Sequence, residues 1–341
     1  MSAILQARGA IDRAGAELAR AFAPGTAAVI SDDHVMGLYG ARVEQSLADA
    51  GFRVVKFMFP HGEGSKNLQV YGEILHFLAE NEVTRADAVV ALGGGVVGDI
   101  AGFAAATYLR GVGLMQIPTT LLACVDSSVG GKTAIDLPEG KNLAGAFYQP
   151  DIVLIDPDTL RTLPEDVFRD GAAEVIKYAA IRDAGMFDDL PRIREGIDGI
   201  ISRCVEIKRE IVGIDERDKG IRQILNFGHT FGHAIEKLSG YAVSHGAAVA
   251  IGMAMMARAC AEKGLLGRAS AERLIAAIRE MGHAVSCEYA PDDIFRAALS
   301  DKKRAGGEIT LVILRELGEC ALHKASLDEA RSFVEMGWAA W

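Results

Sequence analysis

The sequence predicts two unlike halves. Residues 1–160 read as an α/β domain with a mostly parallel sheet and a glycine-rich loop, and residues 161–341 as a mainly α-helical domain. Three observations carry this. Short apolar runs at 27–33, 52–59, 86–94 and 113–117 alternate with helix-length segments, so successive strands lie parallel. One of these runs leads directly into GGGVVGD, where a strand passes into a helix through glycines. Prolines at 157 and 164 then change the texture, and helical periodicity prevails to about residue 300.

The first two dozen residues, with Asp12 and Glu17 set in an Ala-rich pattern, predict an amphipathic helix and not a signal peptide. AAVISDD places Asp32 at the carboxyl end of a buried strand. PHGEGSKN presents Glu63 and Lys66 after the second strand. Open parallel sheets bind ligands at such ends, although the same residue types suit solvated turns equally well.

Gly93, Gly95 and Gly98 satisfy G-x-G-x-x-G between an apolar strand and a small-residue helix. Backbone N–H groups bared by glycine and the positive end of a helix both favour a pyrophosphate, which predicts a dinucleotide site. The acid expected about twenty residues later for a ribose is missing, and Asp99 sits inside the loop instead. Arg110 is placed at the end of that helix. Thr119 and Thr120 follow the strand that Pro118 stops. Asp126 and Lys132 flank a second glycine pair, with Lys141 and Asn142 close behind. Four polar groups among small residues suit a polar, anionic ligand.

In the second half, three of the chain's eight histidines fall between Arg222 and Gly246. His229 and His233 are four apart and share a helix face, which is metal-ligand spacing. His245 lies beyond a Ser-Gly turn and rejoins the pair only if a second element folds back, giving a possible three-histidine site. In RDGAAEVIKYAAI, Glu174, Lys177 and Tyr178 share a face among Ala, Val and Ile, which suggests burial, and a buried glutamate requires a cation.

Composition narrows the partners. A net charge of -10 and the lack of a basic stripe argue against nucleic acid. Five scattered cysteines, odd in number and never in C-x-x-C, indicate neither a disulfide framework nor a zinc knuckle and fit a reducing compartment. The uncharged run Ala247 to Ala257 is too short for a membrane span. A cytoplasmic protein with no membrane partner is expected.

LGGGVVGDIAGFAAATYLRG, IPTTLLACVDSSVGGKTAID and KNLAGAFYQP closely resemble the 3-dehydroquinate synthase family and its sugar-phosphate cyclase relatives, and the likeness extends over about residues 27 to 316. AAEVIKY and NFGHTFGHAIE match that family's metal motifs. The resemblance implies Glu174, His229 and His245 as ligands of a divalent metal, zinc with cobalt as the second choice, which releases His233 to face substrate. It implies a sugar-phosphate substrate, a homodimer and bound NAD, to which a hydride passes and from which it returns. Contacts to NAD would come from Asp32, Glu63, Lys66, Gly94, Gly95, Val96, Asp99, Thr119, Thr120, Leu122, Asp126, Lys132, Lys141 and Thr159.

On the same resemblance the substrate phosphate would be held by Lys132, Asn142, Asn226, His233, one of Lys302 and Lys303 (Lys302 favoured), and Arg110 of a second subunit. Lys208 and Arg222 suit its carboxylate, and Asp126 and Lys177 its hydroxyls. Asp218 stands where the family often has glutamate and joins the catalytic set. Ala247 stands where an acidic residue is usual, so a supporting carboxylate is either lost or supplied elsewhere. A cyclase for another sugar phosphate, a polyol dehydrogenase and a non-catalytic binding protein are the competing readings. The set Arg222, Asn226, His233 and D-K-K favours dehydroquinate formation.

Overall fold

A computed structural model describes residues 2–300 and 308–339, and its chain divides into two compact units, Met1–Pro164 and Glu165–Trp341. The first unit is built on a six-stranded sheet. Its elements are β1 (Ala3–Gln6), α1 (Ala14–Leu18), β2 (Thr26–Asp32), α2 (Asp33–Val35), α3 (Ala41–Asp49), β3 (Arg53–Phe59), α4 (Leu68–Glu80), β4 (Ala88–Gly93), α5 (Gly95–Thr107), β5 (Gly113–Pro118), β6 (Lys132–Leu137), β7 (Gly140–Phe147) and β8 (Ile152–Ile155). The order is β1-β8-β5-β4-β2-β3, and every pairing in it is parallel. β6 and β7 form a separate antiparallel hairpin.

β2, β4 and β5 are apolar without alternation because both faces of the sheet are covered. Val29, Val90 and Leu92 point into one core with Ile11, Leu18, Val43 and Leu47. Ala28, Ile30, Val89 and Leu114 point into the other, against Val70, Ile74, Leu78, Ile100 and Ala104. The chain runs from β2 outward to β3, then crosses back to β4 on β2's other side. The connection after β2 leads to β3 on one side and the connection after β4 leads to β5 on the other, and this reversal opens a crevice at the carboxyl ends of β2 and β4.

The second unit comprises α6 (Glu165–Ile181), α7 (Ile197–Ile214), α8 (His229–Leu238), α9 (His245–Glu262), α10 (Arg268–Glu280), α11 (Pro291–Ser300), the antiparallel hairpin of β9 (Glu308–Glu316) and β10 (Glu319–Ser326), and α12 (Leu327–Trp338). α9 packs against α6, α8, α10 and α12 and is buried nearly all round from Gly246 to Cys260. Such a helix reads as apolar on every face because it is the core. Among the described residues no helix is long and apolar enough to cross a membrane, and all five cysteines are free.

Two expectations are corrected. The N-terminus opens with strand β1 and not with helix. Its residues Ala3 to Gln6 pair with Ile152 to Ile155 and complete the sheet edge, and the expected helix is confined to the Ala-rich stretch that follows, at Ala10–Arg13 and α1. Arg110 does not end α5. That helix stops at Thr107, and Leu109, Arg110 and Gly111 all adopt positive φ (49°, 69° and 123°).

Candidate active site

In the first unit, the crevice at the sheet's carboxyl edge gathers much of the set assigned to a nucleotide. β4 ends at Gly93, Gly94 caps α5, and Gly95 and Val96 form its first turn, where the N–H groups have no carbonyl partner within the helix. A Cβ on Gly94 would sit 2.9 Å from Thr120 Cγ2, so a larger residue there would have to push the Thr120 side chain aside. Asp32 ends β2 and accepts from the Val35 N–H at 2.7 Å. Leu122 lies 3.6 Å from where a Gly95 Cβ would be, and the Thr120 hydroxyl accepts from Ala123 N–H at 3.2 Å. The Thr119 hydroxyl is buried without a hydrogen-bond partner among the described residues. A buried orphan hydroxyl beside a glycine-capped helix start suits a polar ligand such as a dinucleotide.

Lys66, 5% exposed, is the centre of a charged knot. Its ammonium lies 2.6 Å from Asp99 and 2.6 Å from the Asn142 side-chain oxygen, with Glu63 at 3.8 Å. Lys141 is 3.9 Å from Glu63. Burial raises the Glu63 carboxyl despite both lysines, while Asp99 and Glu63 outweigh the burial that lowers Lys66 and keep its ammonium charged. Asp126 lies in the turn that precedes the Gly130–Gly131 pair, Lys132 opens β6 and is exposed, and Thr159 is buried with its hydroxyl donating to Asp156 O. Asn142, assigned to substrate, is thus held by Lys66, assigned to NAD.

In the second unit, α6, α8 and α9 bring Glu174, His229 and His245 together. Glu174 is 1% exposed, and both of its carboxylate oxygens lack a hydrogen bond of acceptable geometry, although the Lys177 ammonium is 2.5 Å from Oε2. Oε1 lies 3.4 Å from His229 Nε2 and 3.3 Å from His245 Nε2. Burial would raise this carboxyl, but Lys177 and then His229 outweigh it and hold it well below the usual range.

The three donors have the right chemistry for a divalent metal. Ligand atoms on a tetrahedral zinc at its usual bond lengths are about 3.3 Å apart, and the observed separations match. Two imidazoles and one carboxylate also leave a fourth position for substrate. His233 stands one turn along α8, exposed, with its ring 5.3 Å from that of His229 and 5.9 Å from that of His245.

The start of α9 is fixed to α6 by Asp170, one turn before Glu174. Its Oδ1 accepts from the Ser244 hydroxyl at 2.5 Å and from the Ala247 N–H at 3.2 Å. A Cβ on Gly246 would stand 2.0 Å from the Asp170 carbonyl oxygen, so only glycine permits this approach. The carboxylate expected at 247 has counterparts elsewhere: Asp170 at the helix start, and Glu236, 3.3 Å from His245 Nδ1. Neither was singled out in the sequence. Glu236 was findable, since it follows His229 by seven and His233 by three and so lies on their face.

Arg222 is 2% and Lys208 6% exposed. The Asp215 carboxylate accepts from Arg222 N–H at 3.1 Å, and the Arg222 guanidinium donates to Glu216 O at 2.5 Å. Asp218 has φ 56°, and Asn226 ends a short 3-10 turn. Lys302 and Lys303 lie outside the described residues.

Fold and cluster together define the class. The chain has the architecture of sugar-phosphate cyclases. It superposes on 2-epi-5-epi-valiolone synthase from Streptomyces hygroscopicus, with NAD+ and Zn2+ bound, at TM-score 0.88 with 28% identity, covering 99% of this chain and 95% of that one. On 2-deoxy-scyllo-inosose synthase complexed with carbaglucose-6-phosphate, NAD+ and Co2+, the TM-score is 0.87 with 24% identity over 97% and 95% of the two chains.

Residues 56–170 match the family model described as 3-dehydroquinate synthase N-terminal, and residues 171–304 that described as 3-dehydroquinate synthase C-terminal. The 3-dehydroquinate synthase of Streptococcus suis is 44% identical over 98% of this chain and 96% of its own length. The chain belongs to the 3-dehydroquinate synthase family. Its activity is that of a carbon-oxygen lyase acting on phosphates, which makes 3-dehydroquinate and phosphate from 3-deoxy-D-arabino-heptulosonate 7-phosphate in the shikimate pathway.

Proposed function

We propose that Glu174, His229 and His245 hold the divalent cation of this reaction, zinc or cobalt, and that the crevice at β2 and β4 holds NAD. When bound, the cation polarises the hydroxyl to be oxidised and NAD takes and later returns a hydride, so the cycle has no net redox change. The observation that carries this is the buried Glu174 carboxylate, without a good hydrogen bond, facing two Nε2 atoms at 3.3 and 3.4 Å.

The chain's other residues bind and orient the substrate and NAD. Lys208 and Arg222, cations already stripped of most water, pair with the substrate carboxylate. Asp126 and Lys177 take substrate hydroxyls, and Asp218 belongs to the catalytic set. Lys132, Asn142, Asn226, His233 and one of Lys302 and Lys303 hold the phosphate to be eliminated, with Arg110 contributed by a second copy in a homodimer. Glu63, Lys66, Asp99, Thr119, Thr120, Lys141 and Thr159 join the glycine loop in contacts to NAD. The protein works in the cytoplasm.

The test is an atom balance. Purified protein with the heptulosonate phosphate, catalytic NAD and zinc is expected to release phosphate and form dehydroquinate in equal amounts without net NADH. Stoichiometric NADH, or turnover only with glucose 6-phosphate, would reassign it to a dehydrogenase or to another cyclase.

A further inference from the structure

α8 carries His229 at its first position, His233 one turn later and Glu236 three residues beyond, so the three share a face. Glu236 is 3% exposed, a burial that carboxylates rarely accept without a partner. Its Oε2 lies 3.3 Å from His245 Nδ1, and the other nitrogen of that ring, Nε2, lies 3.3 Å from Glu174 Oε1. His229 is held in the same sense. Its Nδ1 reaches the Phe227 carbonyl at 3.1 Å, and its Nε2 faces the same Glu174 oxygen.

An imidazole that donates Nδ1–H keeps its lone pair on Nε2. Both rings are therefore set to present Nε2, one by a backbone carbonyl and one by a carboxylate. The carboxylate does more than orient, because its charge makes the ring a stronger donor.

We propose that Glu236 is the positioning residue of the centre: it fixes the tautomer and plane of His245 and thereby sets cation affinity and ligand field. One helix then supplies a ligand at its start and the brace of a second ligand two turns on. This rests on the assignment of Glu174, His229 and His245 as the ligands.

The full-length chain, with Glu236→Gln, Glu236→Asp and Glu174→Gln, tests it by four readouts: zinc per chain, zinc Kd by chelator competition, the d–d spectrum of the cobalt-loaded protein, and the melting temperature after metal removal. The wild type is expected to hold one zinc. Glu236→Gln should also hold one, about 10- to 100-fold more weakly, with a shifted cobalt spectrum and an essentially unchanged metal-free melting temperature. Wild-type affinity and spectrum in Glu236→Gln would overturn the proposal. Two zinc ions in the wild type falling to one in that variant would overturn it as well, because Glu236 would then be a ligand beside His233 and His245, whose donor atoms lie within 4.8 Å of one another.

If Glu236→Gln does not fold, Glu236→Asp carries the test. Its shorter reach breaks the contact while keeping the charge, and the same weakening is expected. Failure of the underlying ligand assignment shows differently: the wild type binds no zinc, or Glu174→Gln binds it normally.

Discussion

Lys177 and Glu174, one turn apart on α6, meet at 2.5 Å with side-chain exposures of 2% and 1%. A pair this deep is held by mutual need, since either charge alone would be stranded in a medium that solvates it poorly. Lys177→Met is therefore expected to cost about 3–5 kcal/mol in metal-free protein and much less with zinc, which replaces the lost cation. Urea unfolding with chelator and with zinc measures both. Equal losses in the two conditions would mean that no cation sits on Glu174.

Asp170 ties the first turn of α9 to α6 through Ser244 and Ala247. Asp170→Ala should lower stability by about 1–2 kcal/mol, as loss of a helix cap does, and weaken zinc binding because His245 begins that helix. Gly246→Ala should do at least as much harm, since its Cβ would meet the Asp170 carbonyl at 2.0 Å and force the two helices apart. Chemical denaturation and zinc titration of both variants check this. An undiminished zinc affinity in Gly246→Ala would show that His245 is placed by something else.

Proton and cation compete at His245. Burial lowers this group, but Glu174 and Glu236 outweigh burial and push it up to about 10. Its contribution to the metal-free fold is thus complete below the free imidazole value of about 6.5 and fades as pH rises through about 10. Zinc must displace that proton, so its apparent affinity should rise about tenfold per pH unit between about pH 7 and 9. The gain in melting temperature from zinc should grow over the same range. A gain independent of pH would contradict the shared site.

Thr119→Val removes a buried hydroxyl that has no partner among the described residues. Stability should hold or improve, because an unsatisfied group disappears, while NAD binding weakens roughly three- to tenfold for the one hydrogen bond lost. Unchanged NAD affinity by fluorescence titration would take Thr119 out of the nucleotide site.

Much of the fold was legible where one local pattern had one physical solution. β2, β4 and β5 are apolar on both faces because helices cover both, and a strand running into glycines at 93–95 could hardly be anything but a helix start. β1 was not legible, because Ala3 to Gln6 become a strand only by pairing with residues some 150 positions away. The left-handed turn at Leu109 and Arg110 was hidden for a related reason, since neither residue type advertises positive φ. In the site, the histidine spacing predicted a shared helix face and α8 provides it. The choice of Glu174, His229 and His245 from a longer list of candidates came from family resemblance and not from spacing. Asp170 and Glu236 escaped notice because each acts through a neighbour's backbone or ring, a relation that only packing reveals.

The ligand set is tested most directly by His229→Ala. Zinc content is expected to fall from one per chain to nearly none, and phosphate release from the heptulosonate phosphate to stop with it, while NAD binding and the cooperative unfolding transition persist. A variant that keeps its zinc and full turnover would contradict the ligand set.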